Sequence, residues 1–179
     1  TGSRPFSTER AEMYPEYNAF LEETMLNLAV EAKKGAFPAK IGIEKALCGK
    51  EQGIGGNRHD PNGVTDPEVY TICIKDANDE VRGILVDYSL HPTLLHAENF
   101  LASADYPGYM RIYFAEKYPK AVFGFFQGTS GNQSSRFFRN GQTFEEAERF
   151  GRTIAAAADK AIASMTFTRD DRTLLGDDP

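Results

Sequence analysis

The chain has 179 residues, a formal net charge of −6, and 41% hydrophobic and 12% aromatic side chains. That is enough apolar material for a buried core in one domain or part of a larger one, and the acidic balance argues against a nucleic-acid binder, which needs a basic footprint to displace counterions. No apolar run approaches the roughly 18 residues of a membrane span, and the opening TGSRPF is neither an initiating Met nor a charged-then-apolar leader, so a true start upstream of Thr1 is expected.

Thr1 to Ser7 reads as an irregular lead-in. From Tyr14 to Lys34 the apolar residues Tyr17, Phe20, Leu21, Met25, Leu28 and Ala32 recur at helical spacing, with Lys33, Lys34 and Gly35 as the stop, which predicts an amphipathic helix packed on a sheet. Ala39–Cys48 and Glu68–Lys75 alternate as strands do, and Arg82–Leu90 has a near-continuous apolar centre. The short turn DANDE between the last two implies an antiparallel hairpin. Pro107 to Tyr118 predicts a helix with Tyr109, Met110, Tyr113 and Phe114 as its apolar positions, and Ala121–Phe126 a buried strand. Thr143 to Met165 predicts the longest helix, opened by a Thr143/Glu146 capping box and striped by Phe150, Ile154, Ala158 and Ile162. Cys48 and Cys73 both lie in apolar strand-like runs, where small buried thiols are the default over a disulfide. The resulting fold class is α/β: a mixed β-sheet containing an antiparallel hairpin, with helices packed against it.

Chemistry has three candidate locations. His91 directly follows a buried strand, and strand ends are where ligands gather in α/β folds. His96 is separated from it by Pro92, and His59 lies in another loop, so spacing alone assembles no ligand set for a catalytic zinc. The loop QGTSGNQSSRF, Gln127 to Phe137, offers Ser130, Ser134 and Ser135 as nucleophiles or as part of an anion-binding nest, without a GxSxG elbow. The run GNRHDPNG, Gly56 to Gly63, is either a turn with a solvated arginine or one in which Arg58 polarises a carbonyl.

In order and spacing, four segments resemble the neutral/alkaline non-lysosomal ceramidase family. They are Asn57–Arg58, the hairpin DPEVYTICIKD…RGILVDYSLHPT ending at His91, SADYPGY at Ser103–Tyr109, and FFQGTSGNQSS at Phe125–Ser135. The resemblance implies that residues 1–165 are part of a single ceramidase-like catalytic domain, followed by a polar tail at 166–179. It implies a zinc-dependent amidohydrolase that cleaves the N-acyl bond of a sphingolipid or similar lipid substrate. His91 then matches a zinc ligand, Arg58 an active-site arginine and Ser134 the nucleophilic serine. Ser135 stands where the family has proline. The family's first zinc histidines precede a Ser/Thr-Gly pair, matched here by Thr1-Gly2, and its remaining ligands, a glutamate and a tyrosine, lie further downstream. The chain is therefore expected to be an interior fragment with an incomplete zinc site and no amidase activity by itself. Two other readings stay open: hydrolysis of a different amide or ester on the same fold, and a non-catalytic relative that binds a lipid or a partner.

Overall fold

A computed structural model describes residues 14–168. The chain divides into two compact units, 1–38 and 39–179. In the first, helix α1 spans Pro15–Lys34. Pro15 and Glu16 suit its first turn, where backbone N–H groups lack partners, and Lys33 and Lys34 suit the carbonyl end. The Gly35 amide donates to the Glu31 carbonyl at 2.9 Å. No residue of α1 is buried within this unit, and Tyr17, Phe20, Met25 and Leu28 are exposed.

The second unit runs β1 (Lys40–Leu47), a 3-10 turn (Lys50–Gln52), β2 (Gly56–Asn57), β3 (Glu68–Lys75), β4 (Val81–Tyr88), α2 (Asp105–Lys117), β5 (Val122–Gln127), β6 (Gln133–Ser134) and α3 (Phe144–Ser164). Its main sheet has the order β1-β3-β4-β5. β1 and β4 pair antiparallel to β3, and β5 pairs parallel to β4. The sheet is therefore mixed, with the hairpin in its middle. A two-residue connection cannot join parallel strands, and here α2 makes the crossover between β4 and β5.

The hairpin turn is built around Asp76, whose carboxylate accepts the amides of Asn78 (2.8 Å) and Glu80 (3.2 Å). Asp79 takes the left-handed conformation the turn demands, with φ 62°. Along β3, Val69, Thr71 and Cys73 point to the core, and Ile84, Val86 and Tyr88 do so from β4. They meet Tyr106, Met110 and Phe114 of α2 and the expected stripe Phe150, Ile154, Ala158 and Ile162 of α3. Cys48 and Cys73 are free and buried, and burial pushes their thiols up to about 12 and about 11. Such thiols are apolar filling rather than nucleophiles. On the opposite face, one cross-strand row runs Ile43, Ile72, Leu85, Gly124. Ile43, Tyr70, Val122 and Phe126 are exposed there.

Three details differ from the sequence reading. Helix α2 begins at Asp105, ahead of Pro107, so Tyr106 becomes its most deeply buried ring. Proline is tolerated in a first turn because no N–H is needed there. The capping box is half formed: Thr143 accepts the Glu146 amide at 3.3 Å, but the Glu146 carboxylate turns to Asn140 and Arg149. Within the expected tail, Thr168 exchanges backbone hydrogen bonds of 2.9 and 3.0 Å with Ile41 at the edge of β1, and residues 169–179 lie outside the described residues.

Helices α2 and α3 pack tightly at Gly151. A Cβ there would lie 2.5 Å from the Tyr106 carbonyl oxygen and 2.6 Å from the Tyr109 Cβ. Gly→Ala in a helix normally gains about 1 kcal/mol, whereas overpacking against backbone costs about 1–3 kcal/mol. Gly151→Ala is expected to lower the thermal midpoint. An unchanged or raised midpoint in a melting curve would show that the helices can separate freely.

Candidate active site

His91 lies just beyond β4, on a segment that buried groups brace from several sides. The Tyr88 hydroxyl donates to the Cys48 carbonyl at 2.5 Å, and the Tyr106 hydroxyl donates to the Leu90 carbonyl at 2.5 Å. Burial pushes both phenols above their ordinary range, so both stay neutral donors. Asp105 holds the loop that follows. Only 7% exposed, it accepts the amides of Leu94 (2.9 Å), Leu95 (3.0 Å) and Tyr106 (2.8 Å). Its backbone is left-handed, φ 52°, and its own amide donates to Ser103 Oγ at 2.9 Å. The loop from His91 to His96 is thus tied at its middle to the start of α2.

The second wall is a small ribbon. β2 pairs antiparallel with β6, placing Gly56 opposite Ser134 and Asn57 opposite Gln133, and the Arg58 amide continues the ladder to the Asn132 carbonyl at 2.8 Å. Residues two apart share a face, so Arg58 emerges on the same side as Gly56 and Ser134. Gly56 is required by proximity: a Cβ would sit 2.6 Å from the Phe138 ring. Asn57 shapes the loop beyond, accepting the amides of His59 (2.9 Å) and Asp60 (3.2 Å) and donating to the Val64 carbonyl at 3.1 Å.

Between these walls is a cleft of about 380 Å³ lined by Arg58, His91, Thr93, His96, Ser134, Arg136 and Arg139. Arg58, His91 and Ser134, far apart in sequence, therefore share one cavity. Ser130 Oγ lies 3.3 Å from His91 Nδ1 and 3.5 Å from Nε2, so this serine, rather than Ser134, is the hydrogen-bond partner of the imidazole. Ser134 Oγ accepts the Arg136 amide at 3.0 Å. Ser135 is fully buried, with its hydroxyl unpartnered among the described residues. His59 is exposed and does not line the cleft. The sequence reading missed Arg136 and Arg139, although their spacing after Ser134 was visible.

The Arg136–Arg139 turn is clamped from behind. Arg149 reaches Glu146 at 2.5 and 3.0 Å and donates to the carbonyls of Gly53 (3.1 Å) and Phe138 (3.3 Å), while Glu146 also accepts the Asn140 amide at 2.8 Å. A larger depression of about 520 Å³ lies between Ala46–Leu47 of β1 and Arg152–Lys160 of α3. Among the described residues it holds no nucleophile–base pair. Its Arg152 is tied to Glu116 and Glu148, and its Thr153 donates to the Arg149 carbonyl, so it has no comparable chemistry.

As metal donors the cleft lining offers only His91 and His96, and among the described residues no group of three or more His, Cys, Asp or Glu is placed to hold an ion. A catalytic zinc takes about three protein ligands, so these residues alone do not fit one. No helix among the described residues is long and apolar enough to cross a membrane.

No family model matches the chain, and no curated protein matches it. Solved structures do. A ceramidase described as complexed with C2 superposes with a TM-score of 0.62 at 19% identity, covering 72% of this chain and 23% of that one. Neutral ceramidase from Pseudomonas aeruginosa superposes with a TM-score of 0.60 at 20% identity, with the same coverage of 72% and 23%. The chain thus shares a fold with these proteins and spans less than a quarter of their length.

Two substitutions test the framework. Asp105→Ala leaves buried amides unpartnered and is expected to destabilise by about 2–4 kcal/mol, with Asp105→Asn intermediate; equal stability of all three in urea would deny the clamp. The Arg149 hydrogen bond holds the Glu146 carboxyl below its ordinary 4.5. Its folded pKa is below its unfolded one, so this contribution is full above the unfolded value and is lost as pH falls through the folded one. The stability gap between wild type and Glu146→Gln should therefore be open at neutral pH and narrow in acid. A gap that stays constant across urea titrations would rule out the linkage.

Proposed function

We propose that residues 1–165 belong to the catalytic domain of a ceramidase-like amidohydrolase that splits the N-acyl amide bond of a sphingolipid or similar substrate. The observation that carries this reading is the meeting of Arg58, His91 and Ser134 in one cleft, on a fold shared with two solved ceramidases. In the net reaction water adds across the C–N bond: the acyl carbon keeps the oxygen and leaves as a carboxylate, and the nitrogen takes a proton and leaves as an amine. Negative charge develops on the carbonyl oxygen, and Arg58 is the donor proposed to stabilise it. Ser134 supplies the proposed nucleophilic hydroxyl. Ser130 fixes the orientation of His91 through its hydrogen bond. Zinc is part of this reading only as an ion held by His91 together with donors outside residues 14–168.

A second reading keeps the fold and changes the substrate to another amide or ester. The arginine-rich lining favours it, since a neutral ceramide offers no charge for those groups to meet.

The full-length protein tests both. With a short-chain ceramide, Arg58→Ala and Ser134→Ala are each expected to reduce kcat/KM by about 10²–10³-fold, with thermal midpoints unchanged. Variants as active as wild type would remove both residues from the mechanism. A wild-type protein that turns over neither ceramide nor simple N-acyl amides would leave a non-catalytic binding domain.

A further inference from the structure

We infer that the cleft selects substrates carrying an anionic group beside the scissile amide, with N-acyl amino acids as the substrate class. This rests on the amidohydrolase reading and names its substrate. Arg58, Arg136 and Arg139 line the cleft together with His91 and His96, and among the described residues no acidic side chain lines it. The chain as a whole is acidic, with a net charge of −6, so this concentration of positive charge is not a general property of its surface.

The other arginines of the same unit set the contrast. Arg82 pairs with Asp76, Arg149 with Glu146, and Arg152 with Glu116 and Glu148. None of the three cleft arginines forms an ion pair among the described residues. Their bonds are to backbone carbonyls: Arg136 to Arg58 at 3.5 Å, and Arg139 to Thr93 at 3.2 Å. A guanidinium has five N–H donors in a planar fork, so each keeps donors free to face the cavity. The clamp of Arg149 and Glu146 behind the Phe138–Asn140 backbone, and the ladder beneath Arg58, position these cations instead of leaving them on a loose loop.

One arginine suffices for the charge that develops on a carbonyl oxygen. The further guanidinium cations repel that first arginine across a confined cleft unless a second negative charge is present. A carboxylate on the carbon next to the amide nitrogen provides that charge within reach of the same cavity, and planar bidentate pairing is what arginine does best with carboxylates. The hydroxyls of a neutral sphingoid head do not call for it. The volume of about 380 Å³ suits an amide with a compact charged head, with the acyl chain extending outward.

The test compares N-lauroylglycine with N-lauroylethanolamide, which has the same acyl chain and amide but no charge, using the full-length protein. Calorimetry is expected to show the glycine conjugate bound at least tenfold more tightly, with an advantage that shrinks as salt is raised. In turnover, kcat/KM should favour it similarly. Arg136→Gln and Arg139→Gln should each reduce that preference several-fold, and the double variant should abolish it. Equal binding of the two amides, or variants that affect both alike, overturns the inference even if ceramide is hydrolysed. Tighter binding of dodecyl phosphate than of N-lauroylglycine overturns the amino-acid class in favour of a phosphate ligand. Anion-selective binding with no turnover of any amide keeps the anion site and overturns the amidohydrolase reading beneath it.

Discussion

A single carboxylate holds the chemistry-bearing end of this fold in place. Asp105 is buried, sits in a left-handed backbone conformation and gathers the amides of Leu94, Leu95 and Tyr106. A loop segment with unpaired buried amides is unstable, and here one side chain satisfies several of them at once. It thereby joins the exit of β4 to the start of α2. The same junction lowers Tyr106 into the core, where its hydroxyl reaches back to Leu90 beside His91. The position of the imidazole follows from the helix start, and the helix start follows from Asp105.

Charge and apolar surface are sorted with equal clarity. The face of the main sheet under α2 and α3 is closed. The other face presents Ile43, Tyr70, Val122 and Phe126 to solvent. Positive charge collects at the cleft, while the ion pairs described in the second unit lie on strands, turns and helix surfaces. An uncovered apolar sheet face is the usual mark of a surface that another layer of protein covers.

The strands and the long helix could be read because their patterns are local. Alternation in β3 follows from one face meeting the core, and the Phe150–Ile162 stripe follows from the turn of a helix. The start of α2 was misread because DYPGY has the composition of a turn. What settles it is the hydrogen bond that the Leu94 amide donates to the Asp105 carboxylate, a tertiary contact that composition does not announce. The site was legible as separate segments: Arg58, His91 and Ser134 each stood out by context or resemblance. Their meeting was not, because it depends on the pairing of β2 with β6, strands of two residues too short to carry a pattern. The role of Ser130 at His91 and the arrival of Arg136 and Arg139 depend on the same loop geometry.

That ribbon also governs when the cleft comes into being. The bond from Arg136 to the Arg58 carbonyl links positions 78 apart in sequence, and Ser130 meets His91 across 39. Contacts at such separation are slow to form, because the intervening chain loses its freedom before they contribute anything. The β3–β4 hairpin needs only its five-residue turn and can assemble early. Pairing of that hairpin should therefore return ahead of the cleft when the protein refolds. The cleft is complete only once that ribbon has paired.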